Sequence, residues 1–211
     1  MKNFAVAAAV AAIVVPAASA SIRITEAMSA SGSGGTADWI EVTNYGSSAV
    51  DITGWRMDDG SFSFANSAAL LGITSIGAGE TVIFVEGAVG DVSGFRSFWG
   101  GLSGVQVGYY AGSGVSFSSN GDAAVLFNLS GAEMSNRAAF GAATSGSSFY
   151  FDTVNNNGIV STVGTIGTQV TFATTGIPVN IGSLGTAIGI PAPGAMALLG
   201  VAGLVGGRRR R

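Results

Sequence analysis

Residues 21 to 177 contain no proline, and their apolar residues come in short runs separated by Gly, Ser and Asn clusters. Runs of strand length bounded by turn formers build a β-sandwich or barrel. Ile22-Arg23-Ile24 alternates. Trp39-Ile40-Glu41-Val42 places Ile40 and Val42 on one face of a strand and Trp39 and Glu41 on the other. Thr81 to Val85 and Ala123 to Phe127 are apolar runs of central-strand type. Asn128 to Ala132 is a turn, and Met134 to Phe140 returns as the partner strand. No stretch between 21 and 187 carries a convincing helical period, so the expected class is all-β.

Both ends of the chain stand outside this pattern. Lys2 precedes an apolar run of 12 residues, Phe4 to Val15. Pro16 breaks it, and Ala18-Ser19-Ala20 forms a small-residue cleavage site ahead of Ser21. Residues 1–20 thus read as a secretory signal peptide, too short to span a bilayer, to be removed by signal peptidase. At the other end, Pro191-Ala192-Pro193-Gly194 leads into an apolar run, Ala195 to Val205. Gly206-Gly207 and Arg208, Arg209, Arg210 and Arg211 follow. Arginines after a membrane-length run stay on the cytoplasmic side. Ile188 to Gly207 is 20 residues, barely enough to cross.

This tail, residues 188–211, resembles the PEP-CTERM sorting signal of bacteria that make extracellular polymeric matrix. Ala192 stands where that family usually has Glu, a Pro-Ala-Pro variant. The resemblance implies export, transient inner-membrane anchoring and cutting by an exosortase-like protease. A permanent, uncut anchor (a transmembrane helix) is the other reading.

Charge and missing residue types narrow the function. Residues 21–207 keep four arginines, Arg23, Arg56, Arg96 and Arg137, against all 12 acids, a net charge of −8. Nothing there neutralises phosphate, so nucleic-acid binding is disfavoured, while cations are attracted. The chain has no cysteine and no histidine, and its one lysine is Lys2. That removes disulfides, thiol chemistry, Ser-His-Asp triads and nearly every zinc site. No catalytic residue, cofactor or metal is expected.

Four motifs in order resemble the lamin-tail domain, an immunoglobulin-like β-sandwich found in nuclear lamins and in many bacterial exported proteins. They are Ile22 to Ala27; Asp38-Trp39-Ile40-Glu41-Val42-Thr43-Asn44; Val50 to Asp59 with Gly54-Trp55 inside it; and Asn120-Gly121-Asp122 leading into Val125-Leu126-Phe127. The resemblance covers residues 21–143 and implies an immunoglobulin-like sandwich. Residues 144–187 then read as additional strands and a flexible Gly/Ser/Thr linker.

Trp39 and Trp55 are expected to anchor the core. Asn44-Tyr45-Gly46 is read as a tight turn, and Gly54 as the bend that admits Trp55. Trp99, Tyr109 and Tyr110 lie in or near a glycine-flanked aromatic insertion, a candidate ligand surface. The competing reading is a satellite apolar cluster under a long loop. Asp58-Asp59-Gly60-Ser61 is a weak calcium candidate without EF-hand spacing, and Glu26, Glu41 and Asp51 are carboxylates that could pair for glycoside hydrolysis. The expected function is a non-catalytic structural or adhesive module at the cell surface or in the extracellular matrix, with exopolysaccharide as its partner. The alternatives are a calcium-assisted hydrolase of matrix polysaccharide and an accessory module recruiting another exported protein.

Overall fold

The computed structural model describes residues 22–32, 35–112, 115–152, 156–163, 172–173, 180–187 and 189. Among them run β1 (Ile22–Met28), β2 (Trp39–Asn44), β3 (Val50–Asp51), β4 (Arg56–Asp58), β5 (Ala68–Leu71), β6 (Ser75–Ile76) and β7 (Thr81–Glu86). A helix, α1 (Asp91–Phe98), is followed by β8 (Gln106–Tyr110), β9 (Asp122–Phe127), β10 (Ala138–Phe140) and β11 (Phe149–Tyr150). The last strands are β12 (Ile159–Val160), β13 (Phe172–Ala173) and β14 (Ile181–Gly182). Ten of these strands form one ladder, in the order β10-β9-β4-β5-β8-β7-β2-β1-β11-β12. Its two ends meet. Ala139 N–H donates to Asn156 O at 2.8 Å and Gly158 N–H to Ala139 O at 2.6 Å, so the segment leading into β12 covers the free side of β10.

The ladder folds over on itself. Ile24, Ile40, Val42, Val82 and Phe84 from one half pack with Met57, Ala124, Leu126, Ala138 and Phe140 from the other in a single buried cluster. Trp55, 5 % exposed, joins it from a turn in which Gly54 has φ +77°. That is left-handed backbone, which glycine adopts without steric cost. Asn44 does more than turn the chain. Its Nδ2 donates to Ser48 O, Ile76 O and Gly77 O at 2.8 to 3.0 Å, and its Oδ1 accepts from Gly46 N–H at 2.9 Å. One buried amide thus ties three segments together.

The pairs are antiparallel except β7–β8, which is parallel. Parallel neighbours need a crossover, and α1 supplies it, contrary to the expectation of no helix. Val92, Phe95 and Trp99 are spaced i, i+3 and i+7 and meet the outward face of the sheet, but two turns interrupted by Gly94 give a weak periodic signal.

Candidate functional site

Apart from the half-buried Arg23, the outward faces of β1, β2 and β7 are buried. Trp39, Ile83 and Val85 form a second cluster with Phe95, Trp99, Leu102 and Leu184. Trp39 lies edge-on to Phe95 and Trp99, with centroids 6.0 and 5.9 Å away. The aromatic insertion is therefore a satellite core. Trp99 is 5 % and Tyr110 0 % exposed, which overturns their reading as a ligand surface: each is drawn in by apolar burial. Tyr109 is half-buried.

Beside this cluster, β1 and β2 carry a polar patch. The register runs Ile24 opposite Val42 and then Glu26 opposite Glu41. Thr25 is the extra residue of a β-bulge, and that slip re-aims side chains and brings two glutamates face to face. Both are fully buried. Asp51 is exposed on β3 and takes no part.

Residues 180–187 close over the pair. Ser183 N–H donates to Glu26 Oε1 at 2.8 Å, and Ser183 Oγ donates to Glu26 Oε2 at 2.8 Å. Ser148 Oγ also donates to Glu26. Gly185 N–H donates to Glu41 Oε2 at 2.6 Å and Thr25 Oγ1 to Glu41 Oε1 at 2.8 Å. Leu184 seats in the aromatic cluster, and Ser148 N–H donates to Ile181 O at 3.0 Å. Residues 180–187 were expected to belong to a linker. They form a strap instead, because two buried carboxylates need donors and this segment supplies them.

Burial pushes the Glu26 carboxyl up to about 7 against the pull of its Ser148 and Ser183 hydrogen bonds. Burial, then the charge of Glu26, pushes Glu41 well above the carboxylate range. The pair therefore retains a proton at neutral pH. Proton sharing of this kind serves acid–base chemistry when substrate reaches it, but here the strap occupies that approach. A groove of about 310 Å³ lies alongside, between Trp99, Leu102 and Val105 and the strap residues Leu184, Gly185 and Thr186. The strap needs glycine at 182, since a Cβ there would stand 2.7 Å from Leu184 Cδ1 and 2.8 Å from Glu26 Oε1. Gly182→Ala is expected to cost about 1–3 kcal/mol, as overpacking does. It should also strip hydrogen-exchange protection from the Ser183 and Gly185 amides while leaving β9 protected. Unchanged strap protection would contradict this packing.

The other sequence candidates separate. Asp58 is fully buried, and its Oδ2 accepts from Ser61 Oγ and Ser63 N–H, both at 2.6 Å. Asp59 Oδ1 accepts from Ser61 N–H at 2.9 Å. These carboxylates cap a turn, and among the described residues no three acids group as a metal cage. Asp38 is half-buried at the start of β2, with its carboxyl raised to about 7 by burial first and then by Glu86.

A family model described as Lamin Tail Domain matches residues 15–141, more than half of the chain. The chain belongs to the lamin-tail family. Its lamin-tail domain is the immunoglobulin-like sandwich described above, and the resemblance carried by Asp38 to Asn44 and by Gly54-Trp55 was to the right family. No curated protein matches the chain. The structure packs Phe149, Phe151, Leu184 and other residues beyond the matched segment onto this domain. Ala18, Ala20 and Ser21, and Pro191, Pro193, Gly194 and Arg208 to Arg211, lie outside the described residues. Among the described residues no helix is long and apolar enough to cross a membrane. The apolar run of the tail is not among them.

Sequence reasoning weighed Glu26 and Glu41 as a pair but missed the strap. Its signal was faint: Asn180 to Ala187 offers small residues whose backbone can approach closely, in a composition that equally describes a linker.

Proposed function

We propose that this chain is an exported, non-catalytic lamin-tail module, directed to the cell surface or extracellular matrix by its two ends. The observation that carries the non-catalytic reading is the sealed Glu26–Glu41 pair, whose oxygens accept from the strap, from Thr25 and from Ser148. The Pro-Ala-Pro motif, apolar run and arginine block support processing by an exosortase-like protease. Intact-mass measurement on protein from its native host is expected to show molecules lacking Arg208 to Arg211. Recovery of most molecules through Arg211 would favour a permanent anchor.

Attachment to exopolysaccharide then falls to apolar groups that are exposed. Phe64 is 38 % and Leu129 75 % exposed. Arg56 lies over the Phe64 ring at 5.9 Å, and Arg137 over Phe62 at 4.2 Å. A sugar ring on such a face buries C–H surface. In a pull-down with the host's purified exopolysaccharide, a Phe64→Ala/Leu129→Ala variant is expected to be retained several-fold less than wild type. Equal retention would remove this patch as the attachment surface.

A further inference from the structure

A glycine after Asn or Asp leaves the next backbone nitrogen unshielded by any side chain and free to attack the side-chain carbonyl before it. Such steps are chemically labile, Asn above all. The sequence holds three: Asp59-Gly60, Asn120-Gly121 and Asn157-Gly158. The fold holds two of them fast. Gly60 N–H donates to Asp122 Oδ1 at 2.9 Å, and Asp59 Oδ1 accepts from Ser61 N–H at 2.9 Å. Gly158 N–H donates to Ala139 O at 2.6 Å. Gly158 is also wedged against aromatic side chains, since a Cβ on it would stand 2.8 Å from Phe149 Cβ and 3.0 Å from Phe140 Cβ. In both steps the attacking nitrogen is committed elsewhere.

The third step is not held. Asn120 is exposed. Its backbone N–H donates to Ser118 Oγ at 3.2 Å, while its side-chain amide has no partner among the described residues. Gly121 N–H reaches Ser118 O at 3.3 Å, longer than the usual span of about 2.7–3.2 Å. Nor does the fold accept a bulkier residue after Asn120. Gly121 has φ +115°, left-handed backbone that favours glycine, and a Cβ there would stand 3.2 Å from Phe140 O. The glycine that makes the step labile is the one that the entry into β9 requires. The next residue is a brace. Asp122 Oδ2 accepts from Ser118 N–H at 2.7 Å, and its Oδ1 accepts from Gly60 N–H at 2.9 Å and Ala123 N–H at 2.8 Å. It thereby ties the turn after β4 to the start of β9.

We propose that Asn120 is a site of spontaneous covalent modification in the folded chain, converting to aspartate and isoaspartate, and that the change loosens the Asp122 brace. Gly121 N gives up its proton to solvent base and bonds to Asn120 Cγ. The Cγ–Nδ2 bond breaks, and the nitrogen leaves with a proton from water as ammonia. The cyclic imide then takes up one water at either carbonyl. Opening at one side gives aspartate. Opening at the other gives isoaspartate, in which the main chain runs through Cβ and Cγ. No enzyme or cofactor enters. Isoaspartate lengthens the backbone by a methylene between Ser118 and Asp122, the two residues that the brace joins. Both products set a new carboxylate near Asp122. The site is independent of the strap and of the reading of export.

The full chain is incubated at mildly alkaline pH, folded and in urea, and its peptides are read by mass spectrometry that separates aspartate from isoaspartate. In the folded chain Asn120 is expected to convert several-fold faster than Asn157, at a rate that rises with pH because the nitrogen reacts deprotonated. In urea the two should convert alike, since both precede glycine. Asn120→Gln, which would have to close a larger and less favoured ring, should stay unconverted. After incubation the wild type, but not this variant, should lose hydrogen-exchange protection at the Ser118 and Gly60 amides. Asn157 keeping pace with Asn120 in the folded chain overturns the proposal. So does an Asn120 that stays intact when folded while the urea-unfolded chain converts. Conversion that leaves Ser118 and Gly60 fully protected overturns the loosening of the brace.

Discussion

Trp39→Ala lowers the unfolding free energy by about 3–5 kcal/mol, the cost of removing a large aromatic side chain from a core. Trp39 is 0 % exposed and forms the floor on which Phe95 and Trp99 stand. Its loss opens a cavity between the sheet and α1, beneath the Phe95 and Trp99 rings. Natural domains carry about 5–15 kcal/mol in total, so the variant sits near the folding threshold. Urea unfolding measures the loss. Hydrogen exchange should show α1 and the strap opening ahead of the inner core. A variant within 1 kcal/mol of wild type would mean that the outer layer adds little to the fold, and the two-layer account would fail.

Much of that account was legible in sequence, and the boundary of legibility has a physical cause. The alternation Trp39-Ile40-Glu41-Val42 correctly divides inward from outward positions, because side chains alternate along any strand. What it leaves open is what covers the outward side. Glu41 at such a position is read by default as solvated, and its burial comes from Gly185, 144 residues away in sequence. Asp58, Trp99 and Tyr110 show the same effect: local composition marks a loop or an aromatic cluster, and non-local packing decides whether it faces water. The Glu26–Glu41 encounter depends on a one-residue slip at Thr25, which no periodicity announces. The helix is absent from the sequence reading because its apolar face is only two turns long.

The second large effect is a dependence on pH. Glu26 titrates near 7 in the folded chain against an ordinary 4.5, so the folded state binds the extra proton. That stability is fully present below pH 4.5 and is lost as pH rises through about 7. A shift of this size corresponds to roughly 3 kcal/mol, and Glu41, also raised by burial and by Glu26, adds in the same direction. Asp38 and Glu86 are raised too and contribute to the same fall, so a variant is needed to isolate the pair. Glu41→Gln keeps the shape of the side chain. Its oxygen can accept from Gly185 N–H, and its amide can donate to Thr25 Oγ1. With one charge gone, Glu26 loses its repelling neighbour. The variant is expected to be more stable than wild type at pH 8 and to lose markedly less on going from pH 5 to pH 8. Superimposable stability profiles for the two proteins would show that the carboxylates do not share a proton-binding site.

The strap also governs mechanical reach. Ala187, its last packed residue, is 9 % exposed and lies four residues before Pro191. Four residues of extended chain span at most about 14 Å. If the tail is gripped at a membrane, a closed strap holds the sandwich within that short leash, with the Glu26–Glu41 face toward the grip. A tug on the tail is then borne first by Ser183, Leu184 and Gly185. Their release would pay out more chain and let the domain stand farther off, so the hydrogen bonds to two glutamates would act as the catch on an extensible tether.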